Sequence, residues 1–306
     1  MISALDPDVV ARVDELSREF LDAKPFRHVV IERFLEPGFC AELMTQFPKF
    51  DPEKARNEMG EVAGKAVVSN LSRVSPAYAR FDRLMQDPEL LSLVGRITSI
   101  PNLLYDPEYV GGGTHENLHG QELDTHVDFN YHPTTQAHRR LNLIVFLNQE
   151  WQESWGGCLE LLQNPFEKDC RSVVPLANRA VIFETTEASW HGFRKIQLPP
   201  ETNFSRRSIA VYFYTKEAPA HGAAPSHATF YYQRPLPGYL RAGHTLTASD
   251  MQEMEGLIAR RDHYIRFLYD REMEFTATLA KVIHSPTFRL AARFAKAAKF
   301  VLRKKD

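Results

Sequence analysis

A histidine and a carboxylate two residues apart on a strand can grip one metal ion, and His126-Val127-Asp128 offers that spacing. Side chains alternate faces along a strand, so residues i and i+2 point the same way. With 12 histidines in the chain, such a triplet arises easily by chance, and a plain His–Asp hydrogen bond is the simpler reading of it alone. A third donor changes the weight. His191, in Ala188-Ser189-Trp190-His191-Gly192-Phe193, follows the apolar run Ala180 to Phe183. Two imidazoles and one carboxylate form a facial triad that leaves three adjacent octahedral positions open on iron(II), room for a chelating acid and O2. A structural zinc site would close with four ligands, commonly cysteines. Cys40, Cys158 and Cys170 are not near these histidines in sequence.

The next feature is Arg206-Arg207-Ser208, opening the strand-like run Ile209 to Tyr214. Alternation puts Arg206 and Ser208 on one face and Arg207 on the other. A guanidinium grips a carboxylate through two parallel hydrogen bonds, with a hydroxyl beside it as a further donor. That suits the distal carboxylate of 2-oxoglutarate, whose 2-oxo acid end would chelate the metal. Without the triad, the same residues would read as a surface arginine pair starting a strand.

These groups sit where the sequence reads as β structure. From about 103 to 216 there are short runs rich in β-branched and aromatic residues, Leu141 to Leu147, Cys158 to Leu162, Ala180 to Glu184 and Ser208 to Tyr214, separated by Gly, Asn and Pro. Such a pattern predicts an antiparallel sandwich or barrel, with a jelly roll as the natural candidate. Before it, Val9, Val10, Val13, Leu16 and Phe20 recur at helical spacing, Phe26 to Ile31 is strand-like, and a helix is expected through Phe39, Leu43, Met44 and Phe47 behind Pro37. The polar stretch 51–64 reads as a surface loop, and helical spacing returns from Ala77 to Ile97. Gly111-Gly112-Gly113 lacks the helix start of a phosphate loop and reads as a flap over the pocket.

Taken together, HxD, a later histidine and RxS stand in the order and approximate spacing of the Fe(II)/2-oxoglutarate-dependent oxygenases, and the sequence resembles their prolyl 4-hydroxylase-like branch. The resemblance spans about 25 to 216. It includes Arg140-Leu141-Asn142-Leu143-Ile144-Val145-Phe146-Leu147-Asn148-Gln149-Glu150-Trp151 and Gly156-Gly157-Cys158-Leu159-Glu160-Leu161. It implies a double-stranded β-helix (jelly roll) core, mainly β with flanking helices. It also implies His126, Asp128 and His191 as iron ligands and catalytic centre, and Arg206 as co-substrate anchor with Ser208 beside it. The cofactors expected are Fe(II), 2-oxoglutarate and O2, with ascorbate as an accessory reductant. Some relatives carry a tyrosine at the co-substrate on the strand after HxD. Phe146 occupies that position here, and Asn142 is the polar residue expected to compensate.

The function expected is hydroxylation of an unactivated C–H bond, with 2-oxoglutarate decarboxylated to succinate and CO2. Asp128 favours this over halogenation, which would need a small residue in its place. The alternative is a non-catalytic jelly-roll module that binds metal as a sensor or adaptor. The substrate class stays open between a small molecule, a saccharide and a protein residue. A formal net charge of -2 gives no global reason to expect nucleic acid. Three cysteines without a CxxC pair indicate no disulfide framework, and the acidic N-terminus does not read as a signal peptide, so a cytoplasmic location is expected.

Two parts are expected, an oxygenase domain at 1–235 and a C-terminal helical extension at 236–306. Thr247-Ala248-Ser249-Asp250 reads as a capping box. Met251, Met254, Ile258, Ile265, Leu268, Phe275, Leu279 and Val282 then recur at intervals of three or four or their sums, interrupted at Arg261 and Glu272. After Pro286 comes a basic amphipathic helix with Arg289, Arg293, Lys296 and Arg303 on one side. These helices offer a homodimer interface or a peripheral contact with an anionic membrane surface.

Overall fold

Among the described residues, twelve strands build the part of the chain that carries the chemistry. The computed structural model describes residues 2–51, 66–166, 170–220, 222–232 and 235–288. The chain divides into two units, Met1–Arg234 and Pro235–Asp306. The loop read at 51–64 lies outside the described residues except for Asp51, as does the basic helix read beyond Pro286 from Arg289 onward.

In the first unit the strands are β1 (His28–Ile31), β2 (Ala66–Val68), β3 (Leu104–Tyr105), β4 (Gly113–Asn117), β5 (Leu123–Val127), β6 (His138–Phe146), β7 (Leu159–Leu162), β8 (Arg171–Val173), β9 (Ala180–Glu184), β10 (Trp190–Phe193), β11 (Arg206–Thr215) and β12 (Phe230–Tyr231). They form a seven-stranded sheet ordered β1-β9-β6-β11-β4-β2, with β3 also on β11, and a five-stranded sheet ordered β12-β5-β10-β7-β8. Every strand pair is antiparallel. This is the jelly-roll core expected from the spacing of the strand-like runs.

Alternation sorts the two faces of the larger sheet. Leu141, Leu143 and Val145 of β6, Ile182 of β9, and Ile209, Val211 and Phe213 of β11 pack outward in one cluster with Leu16, Phe20, Phe39, Phe81 and Leu90 from the N-terminal helices. Phe146, Val181 and Phe183 turn inward and meet Leu159, Leu161 and Val173 of the smaller sheet. Burial of these side chains at about 25 cal/mol per Å² of apolar area is what holds the layers.

The N-terminal helices are α1 (Pro7–Ala11), α2 (Val13–Asp22), α3 (Pro37–Thr45), α4 (Pro76–Gln86) and α5 (Pro88–Thr98). The helical spacing read from Ala77 to Ile97 is carried by two helices, α4 and α5. Pro88 has no N–H to continue α4, and Asp87 caps the new start by accepting from the Glu89 amide at 2.9 Å. Gly111-Gly112-Gly113 also departs from the flap expected. Gly113 opens β4 and faces Ala210 of β11, and the Gly111 carbonyl accepts from Tyr212 Oη at 2.9 Å.

Among the described residues of the second unit the helix is α6 (Ala248–His284), which starts at the expected capping box, with Thr247 and Asp250 bonding each other's backbone N–H. Among the described residues, no helix is long and apolar enough to cross a membrane.

Candidate active site

Strand pairing brings the expected metal donors together. His126 of β5 stands directly opposite His191 of β10, and their ring centroids are 4.2 Å apart. Asp128 follows just past the end of β5, its carboxylate 3.8 Å from His126 Nε2 and 3.4 Å from His191 Nε2. Donor atoms of the three residues all lie within 4.8 Å of one another, and no other His, Cys, Asp or Glu cluster of three among the described residues meets that test.

The backbone sets which nitrogen each imidazole presents. His126 Nδ1 lies 2.8 Å from the Asp124 carbonyl and His191 Nδ1 lies 3.0 Å from the Ser189 carbonyl. A carbonyl can only accept, so each Nδ1 carries the proton and each Nε2 lone pair faces the shared point. This is the arrangement in which outer hydrogen bonds orient metal-binding histidines. Close approach of the strands is required here. A Cβ on Gly192, next to His191, would stand 2.6 Å from the Leu123 carbonyl oxygen.

Asp128 is held by two further groups. Arg139 Nη2 donates to Asp128 Oδ2 at 2.9 Å, and Asn142 Nδ2 donates to the same oxygen at 2.8 Å. Asn142 Oδ1 in turn accepts from Arg139 Nη2 at 2.7 Å and Nε at 3.1 Å. The Arg139 guanidinium lies 3.5 Å over the Tyr212 ring and 4.4 Å from that of Phe129. Burial alone would push the Asp128 carboxyl up. The charges of Arg139, His191 and His126 and the Asn142 hydrogen bond outweigh it and hold the group below the usual carboxylate range. Asn142, read from the sequence as a co-substrate contact, therefore has its amide on Asp128.

Arg206 is another cation of the interior. It is 4% exposed, with Nε donating to the Gly157 carbonyl at 2.6 Å and its guanidinium 4.3 Å from the Phe193 ring and 5.2 Å from that of Phe146. Burial lowers its pKa to about 10, partly offset by Cys158, so it is charged at neutral pH. Among the described residues no carboxylate pairs with it. A buried cation without a counter-charge is costly unless an anion joins it, and a small diacid would supply that anion. Gly157 is shaped for this contact. At φ +68° its Cβ would stand 2.9 Å from the Trp151 ring and 3.0 Å from Ile196. Ser208 is buried two residues along the same face, opposite Phe146. Arg207 points the other way, to Glu116 Oε1 at 2.9 Å, as alternation predicts.

Two neighbours escaped the sequence reading. Arg139 is one. Tyr231 is the other: β12 pairs with β5 so that Tyr231 stands opposite His126, with ring centroids 5.1 Å apart. The aromatic triplet Phe230-Tyr231-Tyr232 was the available signal. Of the other histidines near HxD, His132 is buried with Nε2 3.2 Å from Asp106, and His119 Nδ1 accepts from the Leu198 amide at 3.0 Å.

Residues 113–214, the segment that holds all six of these expected positions, match the family model of the 2OG-Fe(II) oxygenase superfamily. Over that segment, about a third of its length, the chain is similar to that superfamily. The two-histidine, one-carboxylate cluster within the matched segment is chemically suited to iron(II), the metal in that family's name. Three solved structures show the range of similarity. A Pseudomonas putida prolyl-4-hydroxylase is 14% identical, with a TM-score of 0.44, covering 67% of this chain and 99% of its own. A prolyl 4-hydroxylase from Phytophthora capsici is 19% identical, TM-score 0.47, covering 96% of this chain and 92% of its own. HygX from Streptomyces hygroscopicus, with nickel and 2-oxoglutarate bound, is 14% identical, TM-score 0.44, covering 70% of this chain and 89% of its own. No curated protein sequence gives a match.

Proposed function

We propose that this oxygenase hydroxylates an unactivated C–H bond, with His126, Asp128 and His191 holding iron(II) and Arg206, aided by Ser208, holding the distal carboxylate of 2-oxoglutarate. The observation that carries the reading is the pairing of two features on one inward-facing surface. Three donor groups converge on one point, and a charged guanidinium lies on the Phe193 ring, two residues along β10 from His191.

When bound, iron(II) with 2-oxoglutarate and O2 supplies the oxidising chemistry. One oxygen atom goes to the substrate and the other to succinate, with loss of CO2. The protein's part is binding, orientation and exclusion of water. His126 and His191 offer Nε2 because Asp124 and Ser189 hold the Nδ1 protons. Arg139 and Asn142 keep the Asp128 carboxylate charged and fixed in direction. Arg206 gives the co-substrate one orientation. The apolar walls at Phe146, Phe183 and Phe193 keep that space dry, which strengthens each charged contact.

Asp128 favours hydroxylation over halogenation because the carboxylate fills the position a halide would take. Fe(II)-dependent succinate formation, together with 2-oxoglutarate binding by calorimetry, tests the proposal. Absence of both would refute it and leave the non-catalytic reading. His126→Ala separates the two, since it should abolish turnover in an oxygenase and leave partner binding intact in a sensor module. The substrate itself is best sought by incubating the iron-loaded protein with cell extract and looking by mass spectrometry for the gain of one oxygen.

A further inference from the structure

We infer that α6 is the interface of a homodimer in which two copies of the helix lie antiparallel, in a register set by Arg261 of one copy and Glu272 of the other. The inference rests on the helix alone and is independent of the chemistry proposed above.

The helix runs for 37 residues, about 55 Å at 1.5 Å per residue. Along it, Met251, Met254, Ile258, Arg261, Ile265, Leu268, Glu272, Phe275, Leu279 and Val282 alternate strictly at steps of three and four. Those are the a and d positions of a heptad, the period at which a seam keeps facing a partner as two helices supercoil. The apolar members are open. Met251, Ile258, Ile265, Leu268, Phe275, Leu279 and Val282 are 43–68% exposed. A helix of this length gains most of its stability by burying its apolar stripe, so the stripe calls for a partner.

The two charged seam residues identify that partner as a second copy and fix its direction. In a parallel pair each layer faces its own equivalent, so Arg261 would meet Arg261 and Glu272 would meet Glu272. In an antiparallel pair a positions face d positions. Setting Arg261 opposite Glu272 then puts Met251 opposite Val282, Met254 opposite Leu279, Ile258 opposite Phe275 and Ile265 opposite Leu268. One register satisfies every layer, and its two-fold axis passes between Arg266 and Phe267. That is the middle of the helix Ala248–His284, so the two copies overlap along almost their whole length. A closed two-fold interface of this kind uses the same patch on both subunits. Opposite charges in a seam add little affinity over apolar residues, but like charges there are strongly disfavoured, so such layers set orientation and register.

Sedimentation equilibrium on the full chain, with circular dichroism to check helix content, tests this. The expected result is a reversible dimer. Arg261→Glu alone or Glu272→Arg alone places like charges in two symmetry-related layers and should weaken dimerisation about tenfold or more. The double variant Arg261→Glu with Glu272→Arg should restore it. A monomeric wild type overturns the proposal, including one that floats with anionic phosphatidylserine vesicles, where the stripe would instead be a membrane contact. So does a dimer that neither single variant weakens, or one that the double variant fails to rescue.

Discussion

Replacing Arg206 by methionine isolates the co-substrate anchor from everything else in the site. The guanidinium spends Nε on the Gly157 carbonyl, which leaves its two terminal amino groups for a ligand carboxylate. Charge-assisted hydrogen bonds contribute about 1.5–3 kcal/mol each, so two of them are worth ~3–6 kcal/mol. At ~1.4 kcal/mol per decade, Arg206→Met should weaken 2-oxoglutarate binding by roughly a hundredfold to ten-thousandfold. Arg206→Lys keeps the charge but not the fork and should fall between. The assay needs no substrate: calorimetric titration of the Mn(II)-loaded protein with 2-oxoglutarate, alongside thermal unfolding with and without it. Ligand at 100 times its Kd stabilises the folded state by about 2.7 kcal/mol, a rise in Tm that the wild type should show and the variant should lose. Without 2-oxoglutarate the variant should melt within a few degrees of the wild type, because the cation removed had no counter-charge in the protein. Arg207→Met is the internal control, since Arg207 faces Glu116 on the other side of the sheet. Unchanged affinity in Arg206→Met, or a larger loss in Arg207→Met, would refute the assignment.

Three further outcomes follow from the same geometry. Asp128→Ala leaves Arg139 buried without its carboxylate and should cost about 3–5 kcal/mol in denaturant unfolding, whereas Asp128→Asn, which keeps an acceptor, should unfold closer to wild type. Both should lose Co(II) binding. Gly157→Ala introduces a side chain at positive φ against Trp151 and Ile196 and should lower stability by roughly 1–3 kcal/mol as well as 2-oxoglutarate affinity. Burial pushes the Cys40 thiol up to about 11 and raises that of Cys158. In the native protein at pH 8 iodoacetamide should therefore reach half-buried Cys170 first, with Cys40 labelling appreciable only toward pH 11, as followed by peptide mass mapping.

The parts of the site legible in the sequence were those that obey a strict period. His126 and Asp128 share a face because a strand repeats every two residues, and Arg206 rather than Arg207 faces inward for the same reason. The long helix α6 and its capping box were visible on the same kind of evidence. Arg139 was not legible, because a bulge breaks the period just where it matters. On β6, Leu141 faces Phe213 and Arg139 faces Tyr214, so Arg140 is an extra residue. Simple alternation would pair Arg140 with Asn142 on the inner face. The bulge instead sends Arg139 to Asp128 and Arg140 toward Glu184 and Thr215. Bulges re-aim side chains in this way beside functional sites. Asn142 was placed on the correct face, but its partner could not be foreseen without Arg139. The helical spacing from Ala77 to Ile97 was legible but not its division at Pro88, because apolar spacing continues through the proline, and β12 was too short to announce itself.

The direct opposition of His126 and His191 has a consequence for folding. Because the two imidazoles belong to neighbouring strands and must stand in one exact register, a slip of either strand by a single residue would turn one ring to the opposite face. An ion held by both, and by Asp128, would act as a clasp across the smaller sheet, selecting the native alignment among the slipped ones. Whatever free energy the ion gains in binding would then be added to the stability of that sheet. Iron supply would thereby set how much of the chain is correctly assembled as well as how fast it turns over.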